Sequence, residues 1–135
     1  MKLVGNIGKP ALQFLSGQTP EDIFVFELSS FQLEHLHQSP HIAVLLNLYQ
    51  EHLNHHGSFT AYAKAKANIT KYQSSTDFLI YNKDDREVAG IANKSKAQKI
   101  AFTKKSASPF LAPAEPALLI GKLFSIPETK IKKAI

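Results

Sequence analysis

Lys66 is the residue whose placement most needs a chemical explanation. Phe59, Tyr62, Lys66, Ile69 and Gln73 recur at spacings of three and four, so they share one helical face. Phe59, Tyr62 and Ile69 mark that face as the one packed inward; Lys64 falls off it and Lys71 lies opposite. A lysine there has two readings. Its stem can be buried while the ammonium reaches water. Alternatively the amine is desolvated, which favours its neutral form. A neutral amine can take up carbon dioxide as a carbamate, an anion able to bind metal. Glu27 follows an apolar run directly, a place for a metal ligand or for an acid beside a helix start that Ser29 or Ser30 could cap. The six histidines form two clusters, His35/His37/His41 and His52/His55/His56. Neither has a standard zinc spacing and the chain has no cysteine, so no structural zinc site is expected.

Three unbroken apolar runs, residues 23–26, 42–46 and 78–81, must position these groups. Runs of this length without alternation suit parallel strands buried on both faces. A helix is predicted over residues 58–73, with Gly57 breaking the chain and Ser58 as N-cap. Strand, helix, strand implies an α/β fold with a mainly parallel sheet flanked by helices in three layers. A fourth strand is predicted over residues 99–103, a loop at Pro109, Pro113 and Pro116, and helices near 117–124 and 128–134. Each of the first three runs ends in polar residues: Glu27 with Ser29 and Ser30, Asn47 with Glu51 and His52, Asn82 with Asp84 and Asp85. Ligands of open parallel sheets gather outside the carboxyl ends of the strands, so Glu27, His52 and Asn82 are expected at one edge.

The chain has 135 residues, 44% of them hydrophobic, enough for one domain with one core. No apolar run approaches membrane-spanning length, and no signal-peptide stretch opens the chain. With no cysteine, the sequence fits a cytoplasmic setting. The net charge of +5 is uneven: residues 1–82 hold 5 lysines and 6 acids, residues 83–135 hold 11 Lys or Arg and 5 acids. That basic half lacks the arginines and interleaved aromatics of a nucleic-acid binder, so it reads as a solvated lysine surface.

Three motifs stand in order: Gly5-Asn6-Ile7-Gly8-Lys9-Pro10; Glu27-Leu28-Ser29-Ser30-Phe31-Gln32-Leu33-Glu34; and Asn47 through His52 with Gly57-Ser58-Phe59 and Tyr62-Ala63-Lys64-Ala65-Lys66. Together they resemble the central, ATP-binding domain of the Mur ligases, and within that family the D-glutamate-adding branch. The resemblance is strong over residues 3–85 and weaker over 86–135. It implies an ATP-dependent ligase of peptidoglycan synthesis that joins D-glutamate to UDP-N-acetylmuramoyl-L-alanine through an acyl phosphate, with Mg2+ neutralising the phosphates. It assigns Glu27, His52 and Lys66 to the metal and catalytic centre, with Lys66 carbamylated. It assigns Asn6, Ser29 and Gln32 to the UDP-sugar, and Asn82 and Asp85 to the nucleotide.

Some features depart from the family pattern. No Gly-rich turn ending in Gly-Lys-Ser/Thr occurs in the chain, and the resemblance places that phosphate loop ahead of Gly5. Glu51 stands where the family has Asp. The stretch 105–117 is short and lacks a His-Asn motif. The expectation is therefore a partial central domain that is inactive by itself. Its open sheet edge would favour self-association. The competing reading is a non-catalytic remnant that binds a nucleotide sugar or a protein.

Overall fold

The computed structural model of the chain describes residues 1–14, 16–103 and 114–134. Its strands are β1 (Lys2–Gly5), β2 (Phe24–Glu27), β3 (Ile42–Leu45), β4 (Phe78–Asn82) and β5 (Gln98–Phe102). Its helices are α1 (Ser30–Glu34), α2 (Leu53–His56), α3 (Phe59–Lys71), α4 (Arg86–Lys94), α5 (Glu115–Leu123) and α6 (Glu128–Ala134). Every strand pairing is parallel, as the apolar runs predict. The strands divide into a ribbon, β1–β2, and a three-stranded sheet ordered β3–β4–β5.

The three-stranded sheet holds the main core. Its central strand β4 carries Leu79 and Ile80 on opposite faces, and neither is exposed. Leu79 packs with Ala43, Leu45, Tyr62, Val88 and Ala92, which joins the sheet to α3 and α4. Ile80 faces the other way, and α5 lies against β4 and β5. The result is helix, sheet, helix around β4. Burying each of Leu45, Leu79, Ile80 and Val88 contributes about 1.5–3 kcal/mol. Gln73, just past the end of α3, is buried too. Its amide donates to the Pro40 carbonyl at 3.0 Å and the Phe78 carbonyl at 2.9 Å, fixing the turn into β4.

The ribbon departs from the expectation of burial on both faces. Leu3, Val25 and Phe26 are 50%, 43% and 48% exposed. An apolar run predicts two covered faces only if neighbours exist to cover them. β2 pairs with β1 alone, and the ribbon's main contacts are internal. Phe24 is covered on its own face by Phe14, from the 3-10 turn Ala11–Phe14, at 6.2 Å between ring centroids.

One of the proline signals reads differently in the structure. Pro116 is not in a loop; it sits in the first turn of α5, where its missing N–H is harmless. The predicted loop prolines Pro109 and Pro113 lie outside the described residues. No described helix is long and apolar enough to cross a membrane.

Candidate functional site

Glu27 ends β2 opposite Gly5 of β1. Gly5 has φ +104°, and a Cβ there would collide with the Glu27 carbonyl oxygen. The chain then folds back on itself. The Asn6 N–H donates to the Glu27 carbonyl at 2.9 Å, and the Lys9 N–H returns to the Leu3 carbonyl at 3.3 Å. The Gly5–Gly8 turn thereby walls in the end of β2. Oε2 of the Glu27 carboxylate is buried and has no hydrogen-bond partner among the described residues. A buried carboxylate oxygen without a donor carries a desolvation cost, so this one calls for a cation or a ligand donor.

Helix α1 starts three residues after Glu27 and is fixed by a capping box. The Gln32 N–H donates to Ser29 Oγ at 3.3 Å, and the Ser29 N–H donates to Gln32 Oε1 at 2.9 Å. Ser29 and Gln32 thus hold the helix start that follows Glu27. Asn6 meets this corner through its backbone, and its side chain is exposed. The other end of α1 is pinned to α3 by the Asn68 amide, which donates to the Leu33 carbonyl at 2.9 Å.

His52 reaches the same helix from β3. It is exposed and left-handed, with φ 55°, and it stands at the N-terminus of the one-turn helix α2. Its ring lies 5.0 Å from that of Phe31, in the first turn of α1. Phe31 also meets His55 at 4.5 Å and His56 at 5.6 Å. Phe31 is therefore the contact that brings His52 to the helix following Glu27. Nothing in the local sequence around Phe31 signals this role, since its partners come from beyond the end of β3.

Lys66 is half-buried in the middle of α3, on the face that carries the buried Tyr62 and the core-packed Phe59 and Ile69. That matches the helical spacing. It is joined to neither Glu27 nor His52 by a hydrogen bond or ion pair. One turn earlier, burial pushes the Tyr62 phenol up, and the Glu51 carboxylate adds to the effect.

Asn82 and Asp85 form a separate corner at the carboxyl ends of β3 and β4. Asn82 is 1% exposed; its amide donates to Asn47 Oδ1 at 2.9 Å, and its Oδ1 accepts from the Asp84 N–H at 3.0 Å. Asp85 caps α4 with Oδ1, while Oδ2 accepts from the Leu48 N–H at 3.0 Å. Asn82 Oδ1 thus closes the turn after β4, Asp85 Oδ1 starts α4, and Asp85 Oδ2 ties that start to the segment after β3.

These features coincide with a family match. The profile described as Mur ligase middle domain covers residues 5–116. The chain belongs to the Mur ligase family. It is 44% identical over 104 residues to the UDP-N-acetylmuramoylalanine--D-glutamate ligase of Oceanobacillus iheyensis. It is 45% identical over 104 residues to the ligase of that name from Streptococcus equi subsp. zooepidemicus, and 40% over 103 residues to that of Clostridioides difficile. Each match takes in 76% of this chain, which spans 23% of the length of each of these curated relatives. The Mur ligase match takes in the Gly5 turn, Glu27, α1, α2 and α3 together.

Proposed function

We propose that this chain forms part of the central domain of a ligase that adds D-glutamate to UDP-N-acetylmuramoyl-L-alanine with ATP. The observation that carries the reading is the orphaned, buried Oε2 of Glu27, in a segment matched by the family. A carboxylate oxygen shielded from water and given no donor is suited to a hard divalent cation such as Mg2+. Glu27 and His52 would hold that ion, with Lys66 as its carbamylated support. Bound there, Mg2+ would supply positive charge against the phosphates of ATP.

The chain's own groups do the positioning. The Gly5–Gly8 turn and the Ser29–Gln32 box hold the two sides of Glu27. Phe31 holds the ring of His52 against α1. Asn6, Ser29 and Gln32 would line the approach of the UDP-sugar, and Asn82 and Asp85 the nucleotide side. The 135 residues contain no Gly-Lys-Ser/Thr loop to donate backbone N–H groups to phosphate. This chain by itself is therefore expected to catalyse no ligation.

Mg2+ titration of the full chain, read by thermal unfolding, tests the site. Mg2+ should raise Tm in the unsubstituted chain and leave Tm unchanged in Glu27→Gln, which keeps the shape and removes the charge. An equal rise in both would remove Glu27 from the site. Labelled bicarbonate and carbon-13 NMR test Lys66: a carbamate signal should persist in Lys64→Ala and vanish in Lys66→Ala. A signal indifferent to Lys66→Ala would remove the lysine from this role.

A further inference from the structure

Glu34, His55 and His56 converge on one point beside the proposed ligase site, without sharing a residue with it. Their ligand atoms all lie within 4.8 Å of one another, the one such three-residue grouping among the described residues. Glu34 Oε2 and His55 Nε2 are already 3.1 Å apart. Two nitrogens and a carboxylate oxygen around one zinc ion, at bond lengths of about 2.0–2.2 Å, lie about 3.4 Å from each other. Glu34 and His55 are exposed, so theirs are the side chains with room to turn when the set closes on an ion.

The surroundings orient these ligands. Phe31 lies tilted against both histidine rings, and the rings of His55 and His56 stand edge to face at 4.8 Å. Tyr62 backs His56 at 5.6 Å. His56 Nε2 meets the Ser30 hydroxyl at 3.0 Å, which fixes the ring between α2 and α1.

We propose that Glu34, His55 and His56 bind a borderline divalent transition-metal ion of the zinc class. Two imidazoles and one carboxylate are the donor set that favours such an ion over Mg2+, which demands oxygen ligands. Zinc spacing motifs could not reveal the site, because Glu34 lies 21 residues before His55. An ion held there clamps α1 to α2, and α2 begins at His52.

Calorimetric titration of Zn2+ into the full 135-residue chain, with Mg2+ in excess, tests the assignment. One equivalent of Zn2+ should bind despite the Mg2+. Affinity should fall by about 10-fold to 100-fold in Glu34→Gln, His55→Gln and His56→Gln, and stay within about two-fold in His37→Gln. Circular dichroism checks each variant's fold. If one unfolds, the Co2+ absorption of the unsubstituted chain decides, with an intense four- or five-coordinate band expected. No stoichiometric Zn2+ binding, loss of binding in His52→Gln alone, or a weak six-coordinate Co2+ band would overturn the assignment.

Discussion

Asp85→Ala removes one acceptor that serves three backbone N–H groups. Oδ1 holds those of Glu87 at 3.1 Å and Val88 at 3.0 Å, in the first turn of α4, and Oδ2 holds that of Leu48 at 3.0 Å, beyond β3. Losing the helix cap costs about 1 kcal/mol. Leu48 is 8% exposed, so its stranded N–H finds little water and adds about 1–3 kcal/mol. The sum, about 2–4 kcal/mol, lowers Tm by roughly 6–12 °C in a chain of this size. Asp85→Asn separates the two contributions. Its single carbonyl oxygen can serve α4 or Leu48 but not both, so an intermediate loss of about 1–2 kcal/mol is expected. Urea unfolding of the full chain with linear extrapolation reads all three proteins. Asp85→Ala within about 0.5 kcal/mol of the unsubstituted chain, or Asp85→Asn equal to Asp85→Ala, would refute the reasoning.

Gly5→Ala should destabilise the chain by about 2–4 kcal/mol, since the position has φ +104° and the new Cβ meets the Glu27 carbonyl; an unchanged urea midpoint would contradict that geometry. The Asp77 carboxyl is held below its ordinary range by the Ser74 N–H, then by the side chains of His41 and Ser74. A depressed folded value stabilises at higher pH, and that stability is lost as pH falls from about 4 through the depressed value. Asp77→Asn should therefore flatten the acid limb of stability against pH, and an unaltered limb would refute the linkage. Val25→Lys and Phe26→Lys each place a charge at an exposed apolar position of the ribbon, one on either face. They should weaken self-association of the full chain in sedimentation, whereas a strictly monomeric unsubstituted chain at high concentration would refute an adhesive face.

Much of the architecture was legible because it rests on local patterns. Apolar runs without alternation marked β2, β3 and β4, and Gly57 with Ser58 marked the start of α3. The predicted strand 99–103 appears as β5 one residue earlier, and the last two helices appear within two residues of their expected starts. β1, α4 and the short helices α1 and α2 were not predicted as elements. β1 is four residues long and ends in a glycine, too short to show a period. α4 carries a glycine and only two large apolar residues, Val88 and Ile91, and its start is set by Asp85, a residue that the family resemblance assigns to a ligand.

By itself the sequence determined the residue types at each strand end and the face of α3 that carries Lys66, because helical and strand periods are properties of neighbouring residues. It also carried the family resemblance in the Gly5, Glu27 and Asn47 motifs. Tertiary structure decided which of those residues meet. Only the folded chain leaves Glu27 Oε2 buried without a donor, at a strand end whose backbone is held by β1 and the turn after it. Only the folded chain commits Asp85 to Leu48 and sets Phe31 against three histidines, across separations no local period can encode. The split into ribbon and three-stranded sheet was likewise beyond sequence: an apolar run records that a strand can be covered on both faces, and only its neighbours in space decide whether it is.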